Sequence, residues 1–165
     1  MSTDVIDRSP PRPSSAVALG VGILGAFALA TSGIAVGLSV LGVVAVGIGL
    51  YRGSHTAVTL GATGQFCGVL LAGLAGAPPE FLLISIAAAV VTWDVATFAI
   101  DLGDELGRAA ETGRLELVHA GSSTALAVVA AGFGVVVYRL AGGGPALAPV
   151  ALLCGAVVLA VALRP

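Results

Sequence analysis

The first long apolar segment runs from residue 16 to residue 50 and contains no charged side chain. A helix needs about 20 apolar residues to cross a hydrocarbon layer about 30 Å thick, so this segment is too long for one crossing and fits two. The polar residues 31–33 provide a turn between the two crossings. The pattern therefore predicts a membrane-embedded helical hairpin at the start of the chain.

Four further apolar segments follow, and short polar or proline-containing breaks separate them. The third segment ends at Pro78 and Pro79, because proline lacks a backbone donor and restricts the residue before it. The predicted helices are 16–31, 34–50, 57–76, 81–101, 118–139 and 146–163.

These segments predict an all-α, polytopic transmembrane helical bundle of six helices. We expect the helices to form three hairpins, 16–50, 57–101 and 118–163. Residues 1–15 are expected to be a disordered cytoplasmic tail, and residues 16–165 a single transmembrane domain. A charged cytoplasmic loop is predicted at 101–117.

The arginines predict the orientation of this bundle, because cytoplasmic loops carry an excess of basic residues. One side of the predicted bundle holds Arg8, Arg12, Arg52, Arg108, Arg114 and Arg164. The other side holds only Arg139. We therefore expect a multi-pass protein of the cell membrane with both termini in the cytoplasm. The alternative is a signal peptide cleaved after residues 28–30, but the next apolar segment begins almost at once, which favours retention of the first helix.

Composition agrees with insertion into lipid and excludes several classes of protein. Charged residues make up 10% of the chain, against roughly 25% in soluble domains. The net charge of −2 offers no electrostatic basis for binding nucleic acid. Cys67 and Cys154 lie in apolar segments without a second Cys or a His at metal-ligand spacing. The absence of lysine and the acidic balance are compositional hints of a halophile with a GC-rich genome.

Small residues recur every fourth position along the third predicted helix, at Gly64, Gly68, Ala72 and Gly76. Such a stripe lets two helix backbones approach closely in a membrane, where dispersion contacts replace the missing hydrophobic driving force. We expect it to be a helix-packing face. The alternative is that these glycines line a pore or form a hinge.

The most distinctive segment is the end of the fourth predicted helix, where Asp94, Thr97, Asp101 and Asp104 share one helical face. Asp94 lies about two turns inside the membrane, so it must face the bundle interior or accept a partner. Candidate partners are Arg108, Arg114, His119, Ser122, Ser123 and Thr124. Two hypotheses follow. In the first, Asp94, Asp101 and His119 form an intramembrane polar site that relays protons or cations. In the second, a buried pair locks helix four to helix five. The locking pair is favoured, because the chain has one carboxylate at that depth.

Three other patterns do not predict chemistry. Glu116 and His119 form one Glu-x-x-His pair, whereas di-iron bundles need two such pairs and two further glutamates. Ser122, His119 and Asp94 allow a triad on paper, but no Gly-x-Ser-x-Gly elbow accompanies them. Gly20, Gly22 and Gly25 match a dinucleotide fingerprint without the required preceding strand. We therefore predict no catalytic residue, no metal site and no cofactor.

Around the same acidic segment the sequence resembles an uncharacterised family of small polytopic membrane proteins from halophilic archaea. The resemblance rests on Trp93-Asp94, on the Leu-Gly repeats at 102–103 and 106–107, and on the run Glu-Leu-Val-His-Ala at 116–120. Genes of that family often lie near a MoxR-type ATPase and a membrane protein with a von Willebrand-like domain. The resemblance implies a domain of unknown function and no catalytic residues.

These observations lead us to expect a non-enzymatic accessory or scaffold subunit of a membrane assembly. Its partners are expected to be the lipid bilayer and a membrane-associated ATPase or sister membrane protein, with a homo-oligomer as a further arrangement. The docking surface is expected at Arg108, Arg114, Asp104, Glu105 and Glu111, where charges set specificity and register. The alternative is a small proton- or cation-coupled transporter or channel that uses Asp94. A cavity that both Gln65 and Asp94 face would favour this transporter hypothesis.

Overall fold

The computed structural model describes residues 9–30, 33–106, 112–140 and 142. Every regular element within these ranges is an α-helix. The helices are α1 (Arg12–Phe27), α2 (Gly33–Arg52), α3 (His55–Leu74), α4 (Pro79–Leu106) and α5 (Gly113–Leu140). The all-helical fold is confirmed for this part of the chain, whereas the predicted sixth helix at 146–163 lies outside the described residues.

Four of these helices, α2 to α5, are long and apolar enough to cross a membrane. The fifth, α1, has 16 residues, and a rise of about 1.5 Å per residue gives it a length of about 24 Å. That is shorter than a hydrocarbon layer of about 30 Å. The described bundle therefore has four full-length candidate spans and one shorter apolar helix.

The helix ends follow from local chemistry. Gly53 has a φ of 62° and closes the turn between α2 and α3, where Ser54 caps α3 by accepting a hydrogen bond from the amide of Ala57 at 3.3 Å. Gly76 has a φ of 80°, a conformation that favours glycine, and it lies just beyond the end of α3. Pro79 is the first residue of α4, a position where the missing proline donor is tolerated.

The order of packing does not follow the predicted three hairpins. The most extensive contact joins α2 to α3, and the next joins α1 to α4, whereas the predicted pairs α1–α2 and α3–α4 make smaller contacts. The arrangement of six helices in three hairpins is therefore not supported. The prediction took consecutive pairs of segments as hairpins, whereas the complementary small-residue faces, with Gly42 against Gly61, lie on α2 and α3.

Two boundaries differ from those predicted. Residues 101–106 continue α4 and residues 113–117 begin α5, so the predicted charged loop is helical at both ends. At the N-terminus, α1 already begins at Arg12 within the segment expected to be disordered. Proline in the first turn of α1 favours this start, because its φ suits a helix and its missing donor is not needed there.

The centre of the bundle is α4, which contacts each of the other four described helices. One apolar cluster packs Val91, Val95 and Ile100 of α4 against α1, α2, α3 and α5, and a second surrounds Leu82 and Ile86. Half of the most apolar part of α4 is buried, against 17% for α5. Thus α5 lies at the edge of the described bundle, against α4 and α1.

Candidate functional site

A cluster of polar side chains joins α4 to α5 within the apolar part of the bundle. The Nε2 atom of His119 lies 2.9 Å from Oδ2 of Asp94. The hydroxyl of Ser123 donates a short hydrogen bond to the same carboxylate oxygen. The side chains of His119 and Asp94 are only 29% and 14% exposed. Asp94 thus finds its partners about two and three turns into the neighbouring helix.

The ring of His119 is held by a second contact with α4. It stacks on Phe98 with ring centroids 3.9 Å apart and an angle of 9° between the planes. Phe98 follows Asp94 by one helical turn, so both residues face α5 from the same side of α4. Although Nε2 of His119 is close to Asp94, it lacks a hydrogen-bond partner of acceptable geometry among the described residues. The pair is therefore close but not aligned as a hydrogen bond.

Asp94 lies deep relative to the end of its helix. It precedes Leu106, the last residue of α4, by twelve positions, which a rise of about 1.5 Å per residue converts to about 18 Å. A carboxylate at such a position in a lipid-embedded helix is unfavourable unless it faces the bundle interior and has partners. The histidine and the hydroxyl supply these partners.

The structure brings together only part of the predicted intramembrane site. Asp101 is two turns further along α4, and its Oδ1 lies 2.8 Å from Nε2 of His55 on α3. Both of these side chains are exposed. The predicted series Asp94, Asp101 and His119 is therefore divided between an enclosed pair at α5 and an exposed pair at α3.

The other predicted partners of Asp94 take different roles. Ser122 donates its hydroxyl hydrogen to the backbone carbonyl of His119 at 2.9 Å and so satisfies itself within α5. Arg114 is exposed and makes no ion pair with another described residue. Arg108 and Glu111 lie outside the described residues. The partners that contact Asp94 are therefore His119 and Ser123.

Gln65 and Asp94 face different neighbours. Gln65 is buried on α3 against Gly42 of α2, and its Nε2 atom has no hydrogen-bond partner among the described residues. Asp94 contacts α5 instead. These contacts therefore do not bring Gln65 and Asp94 together.

Only part of the predicted small-residue stripe on α3 packs against α2. Gly68 packs against Ser39 and Ala35 of α2, and a methyl group on Gly64 would lie 3.4 Å from the Cα atom of Gly42. Gly76 lies outside the helix, and a methyl group there would meet no atom within 4 Å. Gly76 therefore ends α3 rather than packing against α2. The closest approach to a backbone atom of α2 involves Gly61, which the four-residue spacing missed.

Sequence reasoning also missed the role of Glu116. Its Oε2 atom accepts hydrogen bonds from the backbone amide of Ser14 at 3.0 Å and from the Ser14 hydroxyl at 2.6 Å. Its Oε1 atom accepts from Thr112 at 2.7 Å. Pro11, at the N-cap of α1, makes no side-chain cap, so the buried Glu116 of α5 serves in its place. The one signal in the sequence that could have predicted this contact is the start of α1, where Pro11 offers no capping side chain.

The chemistry that this geometry allows is limited. Ser123 bonds to Asp94 rather than to His119, and Ser122 bonds to a backbone carbonyl, so neither hydroxyl is paired with the histidine as a nucleophile requires. Within the described ranges, no three His, Cys, Asp or Glu side chains are grouped as metal ligands. The cluster holds one ionisable pair, which can join two helices or bind a proton.

The residues expected to dock a partner lie at one end of the bundle. We call Asp104, Glu105 and Arg114 the charged end; they are exposed at the last turn of α4 and the first turn of α5. The opposite end carries an exposed pair in which Nη2 of Arg139 lies 3.6 Å from Oε1 of Glu80.

Four helices long and apolar enough to cross a membrane, joined by enclosed polar contacts, are typical of helical membrane proteins. The chain belongs to the family of unknown function DUF7519, whose match covers residues 8–160. No curated protein and no solved structure matches the chain.

Proposed function

We propose that this protein is a multi-pass protein of the cell membrane that serves as a non-enzymatic accessory or scaffold subunit of a membrane assembly. The observation that supports this most is that several interior polar side chains contact a neighbouring helix. Asp94 contacts His119 and Ser123, while the hydroxyls of Ser85 and Thr92 donate to backbone carbonyls of α1. Polar groups used in this way join helices, whereas transporters keep interrupted helices and polar cavities at mid-membrane.

The charged end is the proposed docking surface. Asp104, Glu105 and Arg114 are exposed there, and Arg108 and Glu111 belong to the same stretch of sequence. Opposite charges on a partner would select it and set its register more than they would raise affinity. The arginine distribution supports an orientation in which this end and both chain termini are cytoplasmic.

The partner class rests on the resemblance to the halophilic archaeal family, whose genes lie near a MoxR-type ATPase. We propose a membrane-associated ATPase or a sister membrane protein at the charged end, in the cell membrane of such an organism. A homo-oligomer is the second arrangement that the same surface allows.

A crosslinking pull-down from native membranes tests this proposal. Wild type is compared with Arg108→Ala/Arg114→Ala, and captured proteins are identified by mass spectrometry. Arg139→Ala is the matched control, because it removes an exposed arginine from the opposite end. We expect an ATPase or sister protein with wild type and with the control, and its loss with the double variant. Capture that is equal in all three, or absent in all three, contradicts the docking surface.

A proton-coupled transporter is the second candidate, and one observation favours it. The contact between Asp94 and His119 is short but not aligned as a hydrogen bond, so the pair is not satisfied in the manner of a purely structural lock. Reconstituted vesicles with an internal pH dye test this function. A proton flux that Asp94→Asn abolishes while folding is unchanged would support transport, and no flux above protein-free vesicles would leave the pair as a lock.

A further inference from the structure

An open cleft lies between the start of α1 and the end of α2. Its volume is about 430 Å³, within the range of about 300–1,000 Å³ typical of pockets for small ligands. Ala16 and Leu19 of α1 and Gly47 and Leu50 of α2 form its apolar part. Arg12 lies in the first turn of α1, and Tyr51 lies in the last turn of α2. The cleft is thus apolar along the helices and cationic at the helix ends.

Two arginines lie at these helix ends, and of the two only Arg12 lines the cleft. Arg52 follows the lining residue Tyr51. Both are exposed, and neither makes an ion pair within the described ranges. A guanidinium matches the geometry of a phosphate group, with which it forms paired charge-assisted hydrogen bonds.

The position of the cleft matches the boundary between lipid and water. The Tyr51 side chain is 90% exposed at the end of a candidate span, and tyrosine is enriched at that boundary because its ring is apolar and its hydroxyl is polar. The cleft runs from this boundary along the apolar surfaces of α1 and α2. A headgroup beside Arg12 would therefore place its acyl chain along Leu19 and Gly47.

We propose that the cleft between α1 and α2 binds an acidic phospholipid, with its phosphate at Arg12 and an acyl chain against Leu19, Gly47 and Leu50. Charge complementarity selects an acidic lipid over a zwitterionic one, since basic sites between membrane helices attract anionic headgroups. Gly47 is central because its missing side chain leaves the floor of the cleft open. A methyl group there would meet only Leu19, at 3.6 Å, so the backbone tolerates a larger residue.

Native mass spectrometry of the detergent-solubilised protein tests this proposal. The protein is titrated with a phosphatidylglycerol or with a phosphatidylcholine of the same acyl chains. We expect one tightly retained phosphatidylglycerol and weaker retention of phosphatidylcholine. Arg12→Gln should weaken phosphatidylglycerol about fivefold, the size expected for one basic residue near an anionic headgroup, and leave phosphatidylcholine unchanged.

Two pairs of variants make the result specific. Gly47→Leu fills the cleft and should reduce retention of phosphatidylglycerol, whereas Gly20→Leu makes the same change on α1 at a position with no neighbour within 4 Å. Arg139→Gln removes an arginine at the opposite end and should act like wild type. Equal effects of Gly47→Leu and Gly20→Leu, or of Arg12→Gln and Arg139→Gln, overturn the proposal. A thermal melt of each variant without added lipid separates loss of folding from loss of binding.

Two further measurements distinguish other occupants. Deleting residues 2–8 should leave the preference for phosphatidylglycerol intact, and loss of the preference would assign the headgroup contact to that segment instead. Excess inorganic phosphate should not displace the lipid, because the acyl chain contributes to binding. Displacement by phosphate would show a simple anion site and would overturn the proposed lipid site.

Discussion

Two interfaces of the bundle hold their helices together in different ways: the first joins α2 to α3, and the second joins α4 to α5. In the first, Gly42 and Gly61 bring the two backbones together, so that a methyl group on either would lie 2.5 Å from the carbonyl oxygen of the other. In the second, Asp94 and His119 meet as side chains, and α5 stays mostly uncovered. The first interface gains dispersion contacts along its length, and the second gains a specific partner at one depth.

The difference illustrates two ways in which helices can associate within a membrane. Lipid tails are as apolar as leucine, so burial of apolar side chains alone does not drive two helices together. Small residues allow many close atom contacts, each worth only about 0.1–0.2 kcal/mol, and these add up along the interface. One polar pair is worth about 0.6 kcal/mol on average in membrane proteins, but it fixes register because only one alignment joins its members.

The largest effect is expected from breaking the backbone contact of the first interface. In Gly61→Leu the new side chain would begin 2.5 Å from the Gly42 carbonyl oxygen and 2.7 Å from the Val46 amide nitrogen, so α2 and α3 must separate. We expect a loss of about 3 kcal/mol in the free energy of unfolding, measured by denaturant titration in micelles. Gly37→Leu is the control, because it adds the same side chain on α2 with no neighbour within 4 Å. Equal losses in the two variants would show that backbone contact is not what joins these helices.

The next effect concerns the contact between α5 and the start of α1. Glu116→Ala removes the acceptor of the Ser14 amide and hydroxyl and of the Thr112 hydroxyl, so α1 loses its cap and its tie to α5. We expect a loss of about 2 kcal/mol, measured by the same titration. Glu105→Ala, at an exposed glutamate of α4, should change stability by less than about 0.5 kcal/mol. A similar small change in Glu116→Ala would contradict the cap.

A smaller energy is expected for the polar pair itself. In a double-mutant cycle of Asp94→Asn and His119→Gln, we expect a coupling of about 1 kcal/mol, between the average and the largest values found for membrane proteins. The cycle isolates the pair, because the other contacts of each single variant cancel. A coupling near zero would mean that the contact of 2.9 Å between Nε2 and Oδ2 does not join α4 to α5.

The smallest effect is expected for the exposed pair of His55 and Asp101. Both side chains are about half exposed, so water and salt weaken their attraction. A cycle of His55→Gln and Asp101→Asn should give a coupling of about 0.3 kcal/mol that disappears at high salt. A salt-independent coupling as large as that of Asp94 and His119 would show that depth in the bundle does not distinguish the two pairs.

Several features of the fold could be predicted because they are local. Apolar length determines which segments can cross a membrane, and α2 to α5 overlap four predicted segments. The acidic residues Asp94, Asp101 and Asp104 share one helical face, although the predicted helix ended at 101 and α4 continues to Leu106. Gly76 and Pro79 end one helix and begin the next through their own backbone preferences.

The candidate site could be predicted only in outline. Asp94 requires a partner because of where it lies along an apolar helix, and His119 and Ser123 were among several candidates at the start of the next helix. The choice between them depends on the rotation of α5 about its axis, which places His119 over Phe98 and leaves Arg114 exposed. The pairing of Glu116 with Ser14 joins residues more than a hundred positions apart, and no local pattern connects them.

By itself, the sequence determined the apolar helices that could span a membrane and the need of Asp94 for a partner, because these depend on the properties of single segments. Only the tertiary structure decided that α2 packs on α3 and α1 on α4, and that Glu116 caps α1. The physical reason is that helix association in a membrane depends on matching surfaces. A missing side chain at Gly42 is favourable only where Gly61 lies opposite it, and that match arises when both helices are in place.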